Sequence, residues 1–317
     1  MRRASAVLLS IYLATAPAAA LDLSDDGLLR DHLWRQLTAK PKGERPVVGL
    51  VFSAGSLRAA AHVGVITVLE NAGFPVDVVA GTSMGAIVGA LYAAGKPIKR
   101  LWELALGLRI SSGSNYNAFN LLRLLLFDRL LSSKNTEKFI RDEIGSRSFE
   151  ELKKPFACVA MDLYSGEGII FREGELAPAV RASMNLPGIF APVEYRHRYL
   201  VDGGVVNYIP IDAAKLLGAD WVLASVTETD YTYSKPQNVL QSLEQVIDIR
   251  GTLLAREQKK SANFLIEPPV GDIGFYDTSR SYEAIAKGVM AAHRRIGAAM
   301  EEYILFSLDC LLKDYIP

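Results

Sequence analysis

Val76-Asp77-Val78-Val79-Ala80-Gly81-Thr82-Ser83-Met84-Gly85-Ala86-Ile87-Val88-Gly89-Ala90-Leu91-Tyr92-Ala93-Ala94 is the stretch that decides how this chain folds. Residues 76–80 form an apolar run of strand length, and residues 86–94 form a small-residue helix that Gly95 closes. Between them lies Gly81-Thr82-Ser83-Met84-Gly85, a G-x-S-x-G pattern. Its glycines permit the strained strand-to-helix turn that lifts a serine hydroxyl above a sheet. The five residues alone arise often by chance. A strand before them and a helix after them make the match specific.

Working outward, Pro41-Lys42-Gly43 breaks a polar, helical lead-in, and residues 47–52 read as a buried strand. Residues 58–71 follow as a helix, with Val63, Ile66 and Leu69 at helical spacing and Gly73 at its end. Further strands are expected at 156–162, 168–171, 199–201 and 221–226, with helices near 175–184 and 211–217. This alternation predicts an α/β fold, a mostly parallel central sheet with helices on both faces. Long helices over 237–260 and 281–312 complete the chain. The organisation that results is an export signal at 1–20, a lead-in at 21–45, a catalytic core at 46–270 and a helical extension of the same domain at 271–317.

With 317 residues, 50% of them hydrophobic, the chain buries one substantial core. Lysine plus arginine number 35, as do aspartate plus glutamate, which gives no support to a nucleic-acid partner. At the N-terminus, Met1-Arg2-Arg3 precedes an apolar run to Ala14 and then Ala16-Pro17-Ala18-Ala19-Ala20. That is the pattern of a secretory signal cleaved before Leu21, and the run is short for a bilayer span. A periplasmic or secreted protein, with membrane association as a further option, is expected. Cys158 and Cys310 are the only cysteines, too few for a disulfide framework, and two buried free thiols are expected rather than one bridge.

A serine nucleophile needs a base. The four histidines are poor candidates. His32 lies in the lead-in, His62 inside an apolar helix, His197 among charged residues and His293 in the last helix. None follows a late strand in a Gly/Asp-rich loop, where an elbow-type hydrolase keeps its catalytic histidine. Asp202-Gly203-Gly204 does follow an apolar strand, and the end of a parallel strand is where such sheets bind ligands. By itself, Asp-Gly-Gly is more often a turn.

Four motifs in order carry a resemblance. They are Ser53-Ala54-Gly55-Ser56-Leu57-Arg58, the Gly81 to Gly85 elbow, Arg181-Ala182-Ser183 through Pro187-Gly188-Ile189-Phe190, and Val201-Asp202-Gly203-Gly204. Over residues 47–269 the chain resembles the patatin-like phospholipases, in particular bacterial members related to the patatin domain of the neuropathy-target-esterase group. The resemblance implies a three-layer patatin-like fold and a Ser–Asp dyad without histidine, with Ser83 as nucleophile and Asp202 as base. It implies no cofactor and no metal. It also implies an oxyanion hole of backbone amides, here those of Gly55 and Ser56, with Arg58 in the place of the family's arginine. The family has three consecutive glycines and then x-Arg-Gly, where this chain has Ala54-Gly55-Ser56 and Arg58-Ala59. A non-glycine residue at positive φ costs about 1–2 kcal/mol, so the loop is expected to shift or strain wherever such an angle is required.

The implied substrate is a phospholipid or another acyl lipid, cleaved through an acyl-enzyme. The alternatives are a carboxylesterase of non-membrane esters and a catalytically weak lipid-binding pseudo-enzyme. Peripheral membrane contact is one reading of the stretch Phe119-Asn120-Leu121-Leu122-Arg123-Leu124-Leu125-Leu126-Phe127-Asp128-Arg129-Leu130-Leu131; the other is a helix packed on the core.

Overall fold

The computed structural model describes residues 25–107, 133–233, 235–274 and 277–313. The expected export signal at 1–20 and the apolar stretch at 119–131 lie outside the described residues.

Five short apolar segments build a parallel sheet. They are β1 (Val48–Phe52), β2 (Val78–Thr82), β3 (Phe156–Asp162), β7 (Trp221–Ser225) and β8 (Phe264–Ile266), ordered β3-β2-β1-β7-β8. β1, β2 and β7 are buried along their whole length, as continuous apolar runs demand when helices cover both faces. On one face lie α1 (Asp25–Ala39), α2 (Ala60–Asn71), α3 (Met84–Ala93), α4 (Ile98–Gly107), α5 (Lys134–Ile144) and α6 (Leu176–Ser183). The long α9 (Ser281–Phe306) joins them. On the other face, α7 (Ile211–Leu216) and the C-terminal part of α8 (Val239–Gln258) cover Val51, Val78 and Val222.

Two strands run against this direction, β4 (Gly168–Phe171) and β6 (Arg198–Asp202), and β5 (Val193–Tyr195) pairs antiparallel with β6 on its outer side. β4 takes one edge of β3, pairing Cys158 through Met161. The other edge is shared. β2 pairs with it as far as Thr82 opposite Val159, and β6 takes over with Asp202 opposite Ala160. β2 and β6 therefore meet end to end along β3 with their carboxyl ends facing. This corrects the expectation that Asp202 ends a strand of the parallel set: β6 is antiparallel and reaches the same place from beyond the sheet.

The expected elements occur with small shifts of boundary. The strand before the elbow is Val78–Thr82 rather than 76–80, and the final helix is interrupted at Ser307 before α10 (Leu308–Leu312). β5, β8, α4 and α5 were not anticipated. α9 is not a loose extension, because it crosses α2 closely enough that a Cβ on Gly288 would overlap the carbonyl of Ala61 and one on Gly64 the carbonyl of Ile285. Among the described residues no helix is long and apolar enough to cross a membrane. Both cysteines are free thiols, but only Cys158, inside β3, is buried; Cys310 in α10 is partly exposed, which corrects the expectation of two buried thiols.

Candidate active site

The chain leaves β2 at Thr82 and enters α3 at Met84, so Ser83 alone makes the turn. It does so at φ 57°, a left-handed angle that costs a non-glycine residue on the order of 1–2 kcal/mol. The two glycines of the motif make room for it. A Cβ on Gly81 would overlap the carbonyl of Gly85, and one on Gly85 would overlap the carbonyl of Ser53. The Ser83 N–H donates to Ser183 Oγ at 3.0 Å, which ties the turn to the end of α6. The N-terminus of α3, with its partial positive charge, lies directly behind the serine.

Ser83 Oγ donates to Asp202 Oδ2 at 2.6 Å. The other carboxylate oxygen, Oδ1, accepts the Gly204 N–H at 2.7 Å, and the Asp202 N–H donates to the Asn185 carbonyl at 2.9 Å. Three bonds thus fix this side chain and its backbone. Gly203 follows because the chain passes directly over β3, where a Cβ would overlap the Val159 carbonyl. Asp202 is 2% exposed, and burial pushes its carboxyl up to about 7, against the opposing hydrogen bonds from Ser83 and Gly204. An aspartate ordinarily a very weak base is converted into one suited to neutral pH.

The loop after β1 closes the site. Gly204 packs against Ala54, and the Gly85 backbone lies on the Ser53 carbonyl, so the loop touches both other motifs. Of the three positions where the resemblance leads one to expect glycine, Gly55 is the one retained. A Cβ there would overlap Thr227 Oγ1. Ser56 adopts φ 50°, the strained angle anticipated for a substituted glycine, whereas Ala54 does not take a positive φ. Thr227 holds the loop from below: its N–H donates to Ser53 Oγ at 2.9 Å and its Oγ1 to the Ala54 carbonyl at 3.1 Å. Tyr208 adds two further bonds, accepting the Ala54 N–H at 2.9 Å and donating its hydroxyl to the Thr227 carbonyl at 2.8 Å.

Arg58 stands at the end of this loop but is not aimed at an oxyanion. Its guanidinium is 1% exposed, donates to Asp248 Oδ1 at 2.7 Å and reaches the Ile273 carbonyl at 3.3 Å. It clamps the loop's following turn to α8, a positioning role. The sequence grouped it with the oxyanion residues. Only its place in the chain supports that grouping.

His62 is fully buried between Ser225 Oγ, 2.7 Å from Nδ1, and the Ser53 carbonyl, 3.1 Å from Nε2. Burial lowers its pKa to about 4, so the ring is neutral and its nitrogens are occupied. His32, His197 and His293 are exposed. Sequence reasoning missed the supporting residues Ser183, Asn185, Thr227, Tyr208 and Asp248. Ser183 and Asn185 lie in or beside the quoted Arg181-Ala182-Ser183 motif, which was the available signal. Nothing local marks the others.

A parallel α/β core with a strained serine turn and an abutting aspartate defines a class of nucleophile-elbow proteins. The family model for patatin-like phospholipase matches residues 50–215, more than half of the chain, and the chain belongs to this family. It is 33% identical over 180 residues to an uncharacterised NTE family protein of Mycobacterium tuberculosis, covering 56% of this chain and 48% of that protein. It is 34% identical over 193 residues to the neuropathy target esterase sws of Drosophila melanogaster, covering 58% of this chain and 13% of the fly protein. The chain thus spans about half the length of the mycobacterial relative. Among solved structures, VipD from Legionella pneumophila shares the fold with a TM-score of 0.52 at 14% identity, over 81% of this chain and 69% of that one.

Proposed function

We propose that this chain is a lipid acyl-ester hydrolase of the phospholipase A or lysophospholipase type, acting through Ser83 and Asp202. The observation that carries the reading is the 2.6 Å hydrogen bond from Ser83 Oγ to a buried carboxylate, while the nearby buried histidine is held elsewhere. Asp202 takes the Ser83 proton as Oγ attacks the ester carbonyl carbon. The negative charge on the former carbonyl oxygen faces the N–H groups of Gly55 and Ser56 and the N-terminus of α3. One such donor is worth ~3 kcal/mol of barrier. The tetrahedral intermediate collapses as the ester C–O bond breaks, and Asp202 returns the proton to the leaving alcohol oxygen. A water molecule then repeats the sequence on the acyl-enzyme, releasing the fatty acid and restoring Ser83.

The family supports a lipid ester as substrate, and a fungal relative named a lysophospholipase, from Aspergillus fumigatus, is 33% identical over 180 residues, covering 56% of this chain and 12% of its own. The strained Ser56 favours a second reading, a weak lipid-binding pseudo-enzyme. One experiment separates the two. The wild-type protein should release fatty acid from lysophosphatidylcholine and label with a fluorophosphonate, and Ser83→Ala should lose both with its melting temperature unchanged. A wild-type protein that binds lipid yet neither labels nor hydrolyses would overturn the hydrolase reading.

A further inference from the structure

We infer that Ser183 and Asn185 of the third sequence motif are positioning residues that hold Ser83 and Asp202 at their bonding separation, and that Ser133 and Arg181 lock this bracket in place. The inference rests on the hydrolase reading and gives a task to the one motif that the reaction itself leaves without a role. β2 and β6 are not paired with each other. Each is paired with β3, Thr82 opposite Val159 and Asp202 opposite Ala160, and Ser83 stands one residue beyond the last pair of β2. The sheet brings the two side chains together but leaves the N–H of the nucleophile outside its ladder.

Ser183 and Asn185, both fully buried, supply what the ladder does not. Ser183 Oγ accepts the Ser83 N–H at 3.0 Å, and the Asn185 carbonyl accepts the Asp202 N–H at 2.9 Å. Both halves of the dyad thus take their backbone position from one piece of chain three residues long. That piece is stiff, because the last turn of α6 runs on through it: the Met184 N–H donates to the Arg181 carbonyl and the Asn185 N–H to the Ala182 carbonyl.

The Asn185 side chain is bonded at both of its atoms. Its Nδ2 donates to the Ala191 carbonyl at 2.9 Å, closing the turn that contains Pro187 and Gly188, and its Oδ1 accepts from Ser133 Oγ at 2.5 Å. Ser133, 1% exposed just ahead of α5, accepts in turn from Arg181 Nε at 3.0 Å, and the same guanidinium pairs with Glu137 of α5 at 3.1 Å. A line of bonds therefore runs from Glu137 through Arg181, Ser133 and Asn185 to the backbone of Asp202. Buried polar groups are costly to leave half paired, so such a network resists displacement as a unit. Beside reacting atoms that rigidity counts, since a misplacement of about 1 Å can cost about a hundredfold in rate.

The test compares purified wild type, Ser183→Ala and Ser133→Ala in p-nitrophenyl butyrate hydrolysis and in the time course of fluorophosphonate labelling. Ser183→Ala removes the acceptor of the Ser83 N–H and should lower kcat about tenfold or more with KM unchanged, and Ser133→Ala should act in the same direction. Both should label to the same final extent as wild type but more slowly. The extent counts folded protein and the rate reports the poise of Ser83, so a merely structural defect would move the extent instead. Arg181→Lys, which keeps the charge beside Glu137 but not the planar fork, decides the question if the serine variants do not fold. Folded variants that label at the wild-type rate, or that change KM alone, would overturn the bracket while leaving the hydrolase reading intact. A wild-type protein that neither labels nor cleaves the ester would remove both.

Discussion

Asp202 shows how one residue's surroundings decide its chemistry. With its carboxyl raised to about 7 by burial, the folded protein binds a proton that the unfolded chain, at an ordinary 3.8, has already released. The stability from this group is therefore complete below pH 3.8 and is lost as the pH rises through 7, on the order of 4 kcal/mol in all. Asp202→Asn escapes that loss, because its amide can still accept from Gly204 and donate to Ser83. The variant should melt close to wild type near pH 4 and well above it at pH 8, as scanning calorimetry across pH will show, while its turnover falls by several orders of magnitude. In the wild type, kcat/KM should rise as the pH increases through about 7, where the carboxylate forms. A variant less stable than wild type at pH 8 would show that the charged form is not held at a cost. The strain at Ser83 follows the same logic: a functional group sits in a conformation that its neighbours impose.

At the scale of elements, the loop after β1 and the strand β6 differ in how openly the sequence announces them. The loop's retained glycine and its replaced one have separable consequences. Gly55→Ala pushes a methyl group into Thr227 and should lower the fluorophosphonate labelling rate at least tenfold, whereas Ser56→Gly relieves a left-handed angle and should label as fast as wild type or faster. Equal rates for the two would mean that the loop does not present its amides to the reacting centre. The elbow and the Asp202-Gly203-Gly204 turn were legible because each compresses its geometry into adjacent glycines. The direction of β6 was not. It is set by the hairpin with β5, whose turn places Arg196 and His197 at φ 46° and 64°, in positions where Asn-Gly would be the readable signal. β5 and β8 are three residues long, too short for alternation to register. Thr227, Tyr208 and Asp248 act through bonds between segments far apart in the chain, which leave no periodicity to find.

Across the whole molecule, the site is held from behind by the C-terminal part of the chain. Arg58 pairs with Asp248 across 190 positions, and the Tyr303 hydroxyl donates to the Pro46 carbonyl across 257. Asp248→Ala leaves a guanidinium that is 1% exposed without its carboxylate, a change that costs about 3 kcal/mol or more. Urea denaturation should show that loss, and the labelling rate of Ser83 should fall with it. Unchanged stability would mean that the pair is not what anchors the loop to α8. The crossing of α2 by α9 carries a consequence in time as well as in space. A chain emerging from the ribosome has made its elbow, its aspartate and its amide loop long before α9 exists, and α2, which follows that loop, has until then no partner for the face that Gly64 presents. The three motifs are complete in order of synthesis by Gly204, but the surface that braces them is supplied last. A nascent chain thus carries Ser83, Asp202 and the Gly55 loop well before the helix that packs on α2 has been made.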